Sequence, residues 1–417
     1  MCPDRIAEEE AEENPAFLKE QIVTYLGNKR SLLDYIEAAV LQARARLGGR
    51  KLRAADLFSG SGIVARLLKR HAELLVANDL ESHAAWVNRC YLANADEVRP
   101  AELEEGLRWL REQMLEPKEG FISELYAPRC DELILPGERA FFTRRNACFL
   151  DTARQAMEHL PASLRRFFLA PLLYGASVHN NTSGVFKGFY KNHQGVGQFG
   201  GERRQALSRI TGDIELMLPV FSRFRCDYRV EQAEALELAE SLPELDFCYI
   251  DPPYNQHPYG SNYFMLNLIA EYKRPREVSR VSGIPAEWNR SVFNAPGRAR
   301  EALFRLLEIC PAKFLLVSYN SEGFIDRAEF MDFLAHLGRV ECTEIPYNTF
   351  RASRNLHARP LRVKEYLFLV ERSGGCGLER PRIGSRRREG ELGRGGGPAN
   401  TAKDGRKDAE RHGWRVG

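Results

Sequence analysis

The run Phe247-Cys248-Tyr249-Ile250-Asp251-Pro252-Pro253-Tyr254 carries the most specific chemistry in the chain. Its apolar first half reads as a buried strand that delivers a carboxylate at its carboxyl end, the edge at which open α/β sheets bind ligands. The two prolines hold φ near about −65° and remove two backbone donors, so the turn offers a carboxylate and carbonyl oxygens with little freedom. Such a set of acceptors suits a planar exocyclic amino group. The lone pair of that nitrogen is delocalised into its ring. Accepting hydrogen bonds from both N–H groups localises the pair and aims it at an electrophile such as a methyl sulfonium. Tyr254 can stack on the ring. The blander reading is a strand ending at a proline turn with Tyr254 in the core, and the Asp, both prolines and the aromatic together weigh against it.

A second cluster is Asp56-Leu57-Phe58-Ser59-Gly60-Ser61-Gly62, set after a strand and before a helix. Glycines at Gly60 and Gly62 let the backbone approach a ligand closely. Alone the pair is as consistent with a plain tight turn. Asp79, at the end of the next strand, adds an acid that can take both hydroxyls of a ribose. The turn and the acid together read as a nucleoside site. They do not separate NAD from S-adenosylmethionine, although the third glycine of the dinucleotide fingerprint is missing.

These residues need a sheet to position them, and the hydrophobic pattern supplies one. Strands are expected at 54–58, 74–79, 247–250 and 314–319, with two closing strands around 340–346 and 364–370. Helices are expected at 63–71, 82–94, 298–309 and 324–337. Between the halves, 96–227 is rich in Arg, aromatic and Gly residues. The layout implies a doubly wound, Rossmann-like α/β domain built from 15–95 and 228–371, interrupted by a mainly helical recognition insertion at 96–227. Composition marks 1–14 and the Gly/Arg-rich 372–417 as unstructured ends.

In its motifs and their order the chain resembles the Dam-like alpha group of N6-adenine DNA methyltransferases, which share a class I methyltransferase sheet. The resemblance spans most of the folded chain and begins at Tyr25-Leu26-Gly27-Asn28-Lys29. It implies S-adenosylmethionine as methyl donor, contacted by Tyr25 and Lys29. The glycine turn, with Asp56, Phe58, Gly60 and Gly62, matches the next cofactor motif, and Asp79 the ribose acid. Glu234 is the nearest equivalent of an acid near the cofactor's adenine, and Leu316-Val317-Ser318-Tyr319-Asn320 of a later core strand. Asp251 to Tyr254 match the catalytic tetrapeptide. The resemblance implies that Asp251 and the Pro252 carbonyl bind the target amino group, that Pro253 and Tyr254 complete the site, that Asp251 also adjoins the cofactor, and that transfer is direct and in-line.

The substrate so implied is adenine in a specific double-stranded DNA site, reached by base flipping, with a cognate restriction endonuclease as a potential partner. Candidates for gripping DNA are Arg144, Arg145, Asn180 to Asn192, Arg203 and Arg204, whose basic and amide groups suit phosphates and base edges. For Phe186 and Phe189 a core role is at least as expected. The segment 256–267 reads as a mobile loop closing over the base. The alternative is a ribosomal-RNA N-methyltransferase, a class that uses a similar turn on a more compact domain. Cytosine-C5 chemistry is disfavoured, because none of the nine cysteines follows a proline. A noncatalytic nucleic-acid-binding module and a dinucleotide-binding oxidoreductase are further options.

Bulk composition is permissive. The 417 residues carry 60 Lys and Arg against 57 Asp and Glu, so any attraction to nucleic acid must be local. The odd cysteine count without a Cys-x-x-Cys pair argues against disulfides and a zinc cluster, and no metal is expected. The N-terminus lacks a secretory pattern and no apolar run is long enough to span a membrane, which points to a monomeric cytoplasmic enzyme.

Overall fold

A computed structural model describes residues 12–97, 99–204, 206–254, 256, 258–348 and 362–373. Seven strands, β1 (Leu52–Asp56), β2 (Ala72–Asn78), β3 (Asp227–Glu231), β4 (Leu245–Ile250), β5 (Ala312–Asn320), β6 (Gly338–Asn348) and β7 (Arg362–Arg372), form one sheet in the order β3-β2-β1-β4-β5-β7-β6. Strands β1 to β5 run parallel, and β7 inserts antiparallel between β5 and β6. This is the Rossmann-like methyltransferase sheet. The order reverses between β1 and β4, so a crevice opens outside their carboxyl ends, where doubly wound sheets bind ligands. Asp56 ends β1 and Asp251 follows β4.

Local sequence explains the central strands. β4 is buried along its whole length, as a parallel strand covered on both faces must be, and it therefore reads as an apolar run rather than an alternation. Its one charge, Asp246, is paired with Arg50 and accepts a bond from the Arg53 amide at 2.7 Å. Thirteen helices are described: α1 (Leu33–Arg46), α2 (Ile63–His71), α3 (Ser82–Tyr91), α4 (Pro100–Gln113), α5 (Phe121–Tyr126), α6 (Arg144–Met157), α7 (Ala162–Val178), α8 (Leu207–Thr211), α9 (Ala235–Ser241), α10 (Tyr259–Asn262), α11 (Phe264–Glu271), α12 (Ala299–Ile309) and α13 (Arg327–Leu337).

Helices cover both sheet faces. Ile36 and Val40 of α1 and Val64 and Leu68 of α2 pack on Ala54, Leu75 and Phe247. On the opposite face Leu238 of α9, Leu303 and Leu307 of α12 and Phe330 of α13 pack on Val76, Cys248 and Val317. A third core joins Leu103 of α4, Leu150 of α6 and Phe168 of α7 to Val87 of α3 and Phe264 and Ile269 of α11. The stretch 96–227 carries α4 to α8 joined by long non-helical segments, and its core is shared with the helices that flank it on both sides.

Several expectations change. The segment 256–267 is not a mobile loop: α10 and the start of α11 occupy most of it, and Tyr263 is fully buried. Of the supposedly unstructured start, residues 1–11 lie outside the described residues. Glu13 and Asn14 instead hold Arg223 and Phe221 through their side chains. The C-terminal tail lies outside the described residues from 374 on, and Arg372 still belongs to β7. No helix among the described residues is long and apolar enough to cross a membrane.

Candidate active site

The glycine turn leaves β1 and enters α2 with Gly60 at φ +50° and Gly62 at φ +77°, a region that disfavours residues with a Cβ. A Cβ on Gly60 would stand 3.0 Å from the ring of Tyr25, so this glycine is also where that ring rests. Asp79, just past β2, accepts the Gly60 amide at 2.7 Å and the Glu81 amide at 2.9 Å. It therefore braces the turn as well as facing the crevice. Asn88 on α3 ties Ser59 at 2.8 Å.

Tyr25 and Lys29 reach the crevice because the chain before them is clamped. Arg66 of α2, itself buried, donates to the carbonyls of Phe17, Glu20 and Gln21 at 2.9 to 3.0 Å. The ring of Tyr25 then stacks on Tyr263 at 4.2 Å between centroids and on Tyr259 at 5.0 Å. Both partners come from the segment directly after the Asp251-Pro252-Pro253-Tyr254 turn, so the expected cofactor and catalytic motifs are packed together.

Lys29 is 4% exposed and lies between two carboxylates, Asp251 at 3.2 Å and Glu365 of β7 at 2.7 Å. Burial alone would lower its pKa, but the two acids outweigh it and hold the ammonium well above the ordinary lysine range. Burial pushes Asp251 up to about 7, with Lys29 pulling it down and Glu365 pushing it up. Tyr254 stands edge-on to Tyr319 at 6.0 Å. Pro252 is buried, while Pro253 and Asp251 line the crevice.

The same crevice, about 790 Å³ with its open mouth included, is lined by Tyr25, Lys29, Asp56, Phe58, Gly60, Asp79 and Glu234. All the expected site residues therefore line one crevice except Gly62 and Pro252, which are buried, and Tyr254. Asp56 is 1% exposed, and neither of its oxygens has a well-formed hydrogen bond. Burial, then the charges of Asp251 and Asp79, push it well above the usual carboxylate range, and the nearby amides of Phe58 and Ala65 offset only part of this. Burial likewise raises Asp79 to about 6. Glu234 caps α9 and accepts from Ser291 at 3.3 Å.

Among the lining or supporting residues that escaped the sequence reading are Glu81, Asn289, Ser291 and Glu365. Burial, then the Asp79 charge, raises Glu81 to about 7, and its carboxylate takes the side-chain amides of Asn267 and Asn289. Glu365 sits between Lys364 and the apolar run from Tyr366 to Val370, where nothing in the sequence distinguishes it. Among the described residues no group of three or more His, Cys, Asp or Glu side chains could hold a metal ion.

The expected DNA-gripping residues divide. Asn180, Asn181, Thr182 and Phe186 are buried and serve the insertion, with Asn181 bonding the Ala140 carbonyl at 2.8 Å. Arg144 bonds Glu119 and the Ser123 carbonyl, and Arg145 pairs with Asp213. Lys187, His193, Arg203 and Arg204 are exposed. The Phe186 amide donates to the Asn262 carbonyl at 2.7 Å, which ties this loop to α10.

Residues 25–282 match the family model described as D12 class N6 adenine-specific DNA methyltransferase. The type II methyltransferase M.NlaIII of Neisseria lactamica is 27% identical over 360 residues, spanning 84% of this chain and 100% of the relative. M.CviAII of Paramecium bursaria Chlorella virus 1 is 28% identical over 356 residues, 84% and 98% of the two chains. M.FokI of Planomicrobium okeanokoites is 26% identical over 362 residues, which make up 84% of this chain but 52% of that one. The ribosomal-RNA alternative is not favoured. With the family match covering both the glycine turn and the Asp251-Pro252-Pro253-Tyr254 tetrapeptide, the chain belongs to the D12 class N6 adenine-specific DNA methyltransferases, enzymes that methylate adenine N6 in DNA with S-adenosylmethionine as donor.

Proposed function

We propose that Asp251 and the Pro252 carbonyl accept the two N–H bonds of a flipped-out adenine, with Tyr254 against its ring, and that methyl transfer to N6 is direct. The observation that carries this reading is the Asp251 carboxylate, 17% exposed, at the crevice end of β4 with Lys29 on one side and the Asp56 and Asp79 corner on the other. Burial raises Asp251 to about 7, so it is in part ionised near neutrality and able to accept one N–H while the Pro252 carbonyl accepts the other. No covalent enzyme intermediate is needed.

The residues present fit the cofactor. S-adenosylmethionine supplies an electrophilic methyl group on a positively charged sulfonium. The orphaned carboxylate of Asp56 offers counter-charge to a cationic ligand, which relieves its own burial. Asp79 and Glu81 offer acceptors for ribose hydroxyls, Tyr25 and Phe58 apolar surfaces, and Glu234 an acceptor for the adenine amino group. The turn at Gly60 and Gly62 lets backbone amides approach.

DNA is gripped, in this reading, by Lys187, Lys191, His193, Arg203 and Arg204, on the face of the insertion tied to Asn262. Flipping costs roughly a few kcal/mol, which the closed stack of Tyr25, Tyr259 and Tyr263 does not supply, so contacts from the insertion must. The relatives named as type II methyltransferases, two of them matched over nearly their full length, support a role as the modification half of a restriction pair. Incubation of the enzyme with labelled donor and duplex DNA, followed by base-resolved mapping of the label, tests the reading. N6-methyladenine at one recurrent sequence is expected. Label on another base, or unabated labelling by Asp251→Ala, would refute it.

A further inference from the structure

The carboxylate nearest to Lys29 is not the one in the catalytic tetrapeptide. Glu365 approaches the ammonium to 2.7 Å, against 3.2 Å for Asp251. Glu365 is 1% exposed and fully engaged: one oxygen also takes the Ser318 hydroxyl at 2.8 Å, the other the Asn320 side-chain amide at 2.9 Å. Both donors stand on β5, and Asn320 is the register partner of Glu365 across the β5–β7 pair. The antiparallel insertion of β7 is what brings a carboxylate to this point. Asp251, in contrast, touches the lysine through one oxygen and keeps part of its side chain in the crevice.

We propose that Glu365 is a positioning residue for methyl transfer: it anchors Lys29 beside Asp251 so that the ammonium is shared, leaving the Asp251 oxygens available to the target amino group. This rests on the reading of Asp251 given above. The arrangement has a charge logic. One ammonium between two carboxylates leaves a net charge of one negative unit at the crevice, where a cationic donor and a weakly nucleophilic nitrogen meet. A lysine bonded to Asp251 alone would neutralise it and occupy its lone pairs. Both Glu365 oxygens are held from β5, so the ammonium has a fixed seat rather than a choice of partners.

The groups facing Asp251 are Lys29, Glu365, Tyr249, Tyr259 and, across the crevice, Asp56, while Tyr254 faces Lys29. Among them Glu365 pushes Asp251 upward. Removing its charge therefore lowers the pH at which Asp251 ionises, while releasing Lys29 to cap it.

The test is the single-turnover rate of methyl transfer to duplex DNA as a function of pH, with both substrates saturating. In Glu365→Gln the acidic limb should move to lower pH by about 1 unit, while the plateau rate falls roughly 10- to 100-fold and the Kd for S-adenosylmethionine stays within about threefold. Glu365→Asp keeps the charge and should restore the position of the limb. Ser318→Ala and Asn320→Ala loosen the seat without altering charge, and should lower the plateau by about threefold with the limb in place. They also serve if Glu365→Gln does not fold. A plateau loss with an unmoved limb in Glu365→Gln, or unchanged rates in all three of Glu365→Gln, Ser318→Ala and Asn320→Ala, would overturn the assignment. Asp251→Ala, which removes the acceptor, separates the two readings: if it still transfers methyl groups, the role of Asp251 itself fails, whereas an inert Asp251→Ala beside a normal Glu365→Gln removes Glu365 alone.

Discussion

Two acidic clusters face each other across the crevice, and they are built on opposite terms. At the end of β4, Asp251 and Glu365 share the buried ammonium of Lys29. At the ends of β1 and β2, Asp56, Asp79 and Glu81 crowd together, and no salt bridge to any of them is formed among the described residues. Buried carboxylates without a cation are costly and respond by holding their protons. Asp56 stands well above the usual range, Asp79 at about 6 and Glu81 at about 7. The first cluster is complete as folded. The second waits for positive charge, which fits a corner that takes a sulfonium and an ammonium from its ligand. Ion pairs formed on folding hold one side, while the other carries buried acids whose protons a cationic ligand can displace.

Removing one acid from each cluster should separate the two roles. Asp251→Ala is expected to cut methyl transfer by about a thousandfold while S-adenosylmethionine still binds, as isothermal titration would show. Comparable loss of binding would mean that the clusters are one unit. Asp79→Ala should do the reverse, weakening cofactor binding by roughly 10- to 100-fold through loss of charge-assisted bonds, with a smaller effect on the saturated rate. Part of that loss is indirect, because Asp79 also holds the Gly60 amide.

Gly60→Ala probes the floor of the second cluster without touching charge. The new methyl group would meet the Tyr25 ring at 3.0 Å, at a φ of +50°. A stability loss of about 1 kcal/mol is expected from the backbone alone, read as a lower midpoint in urea, together with cofactor binding weakened by roughly threefold to tenfold. Unaltered binding would show that Tyr25 can move aside and that the ring is not a fixed wall.

The two clusters were unequally legible in the sequence. Asp251 to Tyr254 and the glycine turn announce themselves because strand, charge and turn residues are contiguous, so local rules suffice. The alternation of strand and helix in the catalytic halves was readable for the same reason, and α2 begins and ends where periodicity places it. Glu365 and Glu81 were not legible as site residues. Their meaning depends on the antiparallel entry of β7 and on side chains from α11 and the segment around Asn289, contacts between positions far apart in the chain. β3 escaped because an edge strand of sequence Asp-Tyr-Arg-Val-Glu lacks an apolar run. The loop assignment at 256–267 failed because glycine and polar residues there are buried by aromatic stacking rather than exposed. The polar residues of 180–182 were misjudged for a related reason, since buried amides can serve the backbone of their own domain.

The smallest expected effect bears most directly on the contrast between the clusters. Glu81, raised to about 7, and Asp79, raised to about 6, hold protons in the folded chain that they would lose at about pH 4 when unfolded. Between pH 4 and 7 the folded state therefore binds more protons, and the stability these groups contribute is fully present below about pH 4 and is lost progressively as pH rises to about 7. Other groups titrate in the same window, so the measurement is a difference: the thermal midpoint of the cofactor-free enzyme against that of Glu81→Gln, at pH 4 and pH 8. Glutamine keeps acceptor and size but cannot ionise, and the variant should gain a few degrees relative to the parent at pH 8 and little at pH 4. S-adenosylmethionine should shrink that gap, because a bound cation favours the ionised carboxylates that cost the empty site its stability. A gap that is equal at both pH values would mean that Glu81 carries no trapped proton, and the second cluster would then be settled by its own hydrogen bonds, as the first is by Lys29.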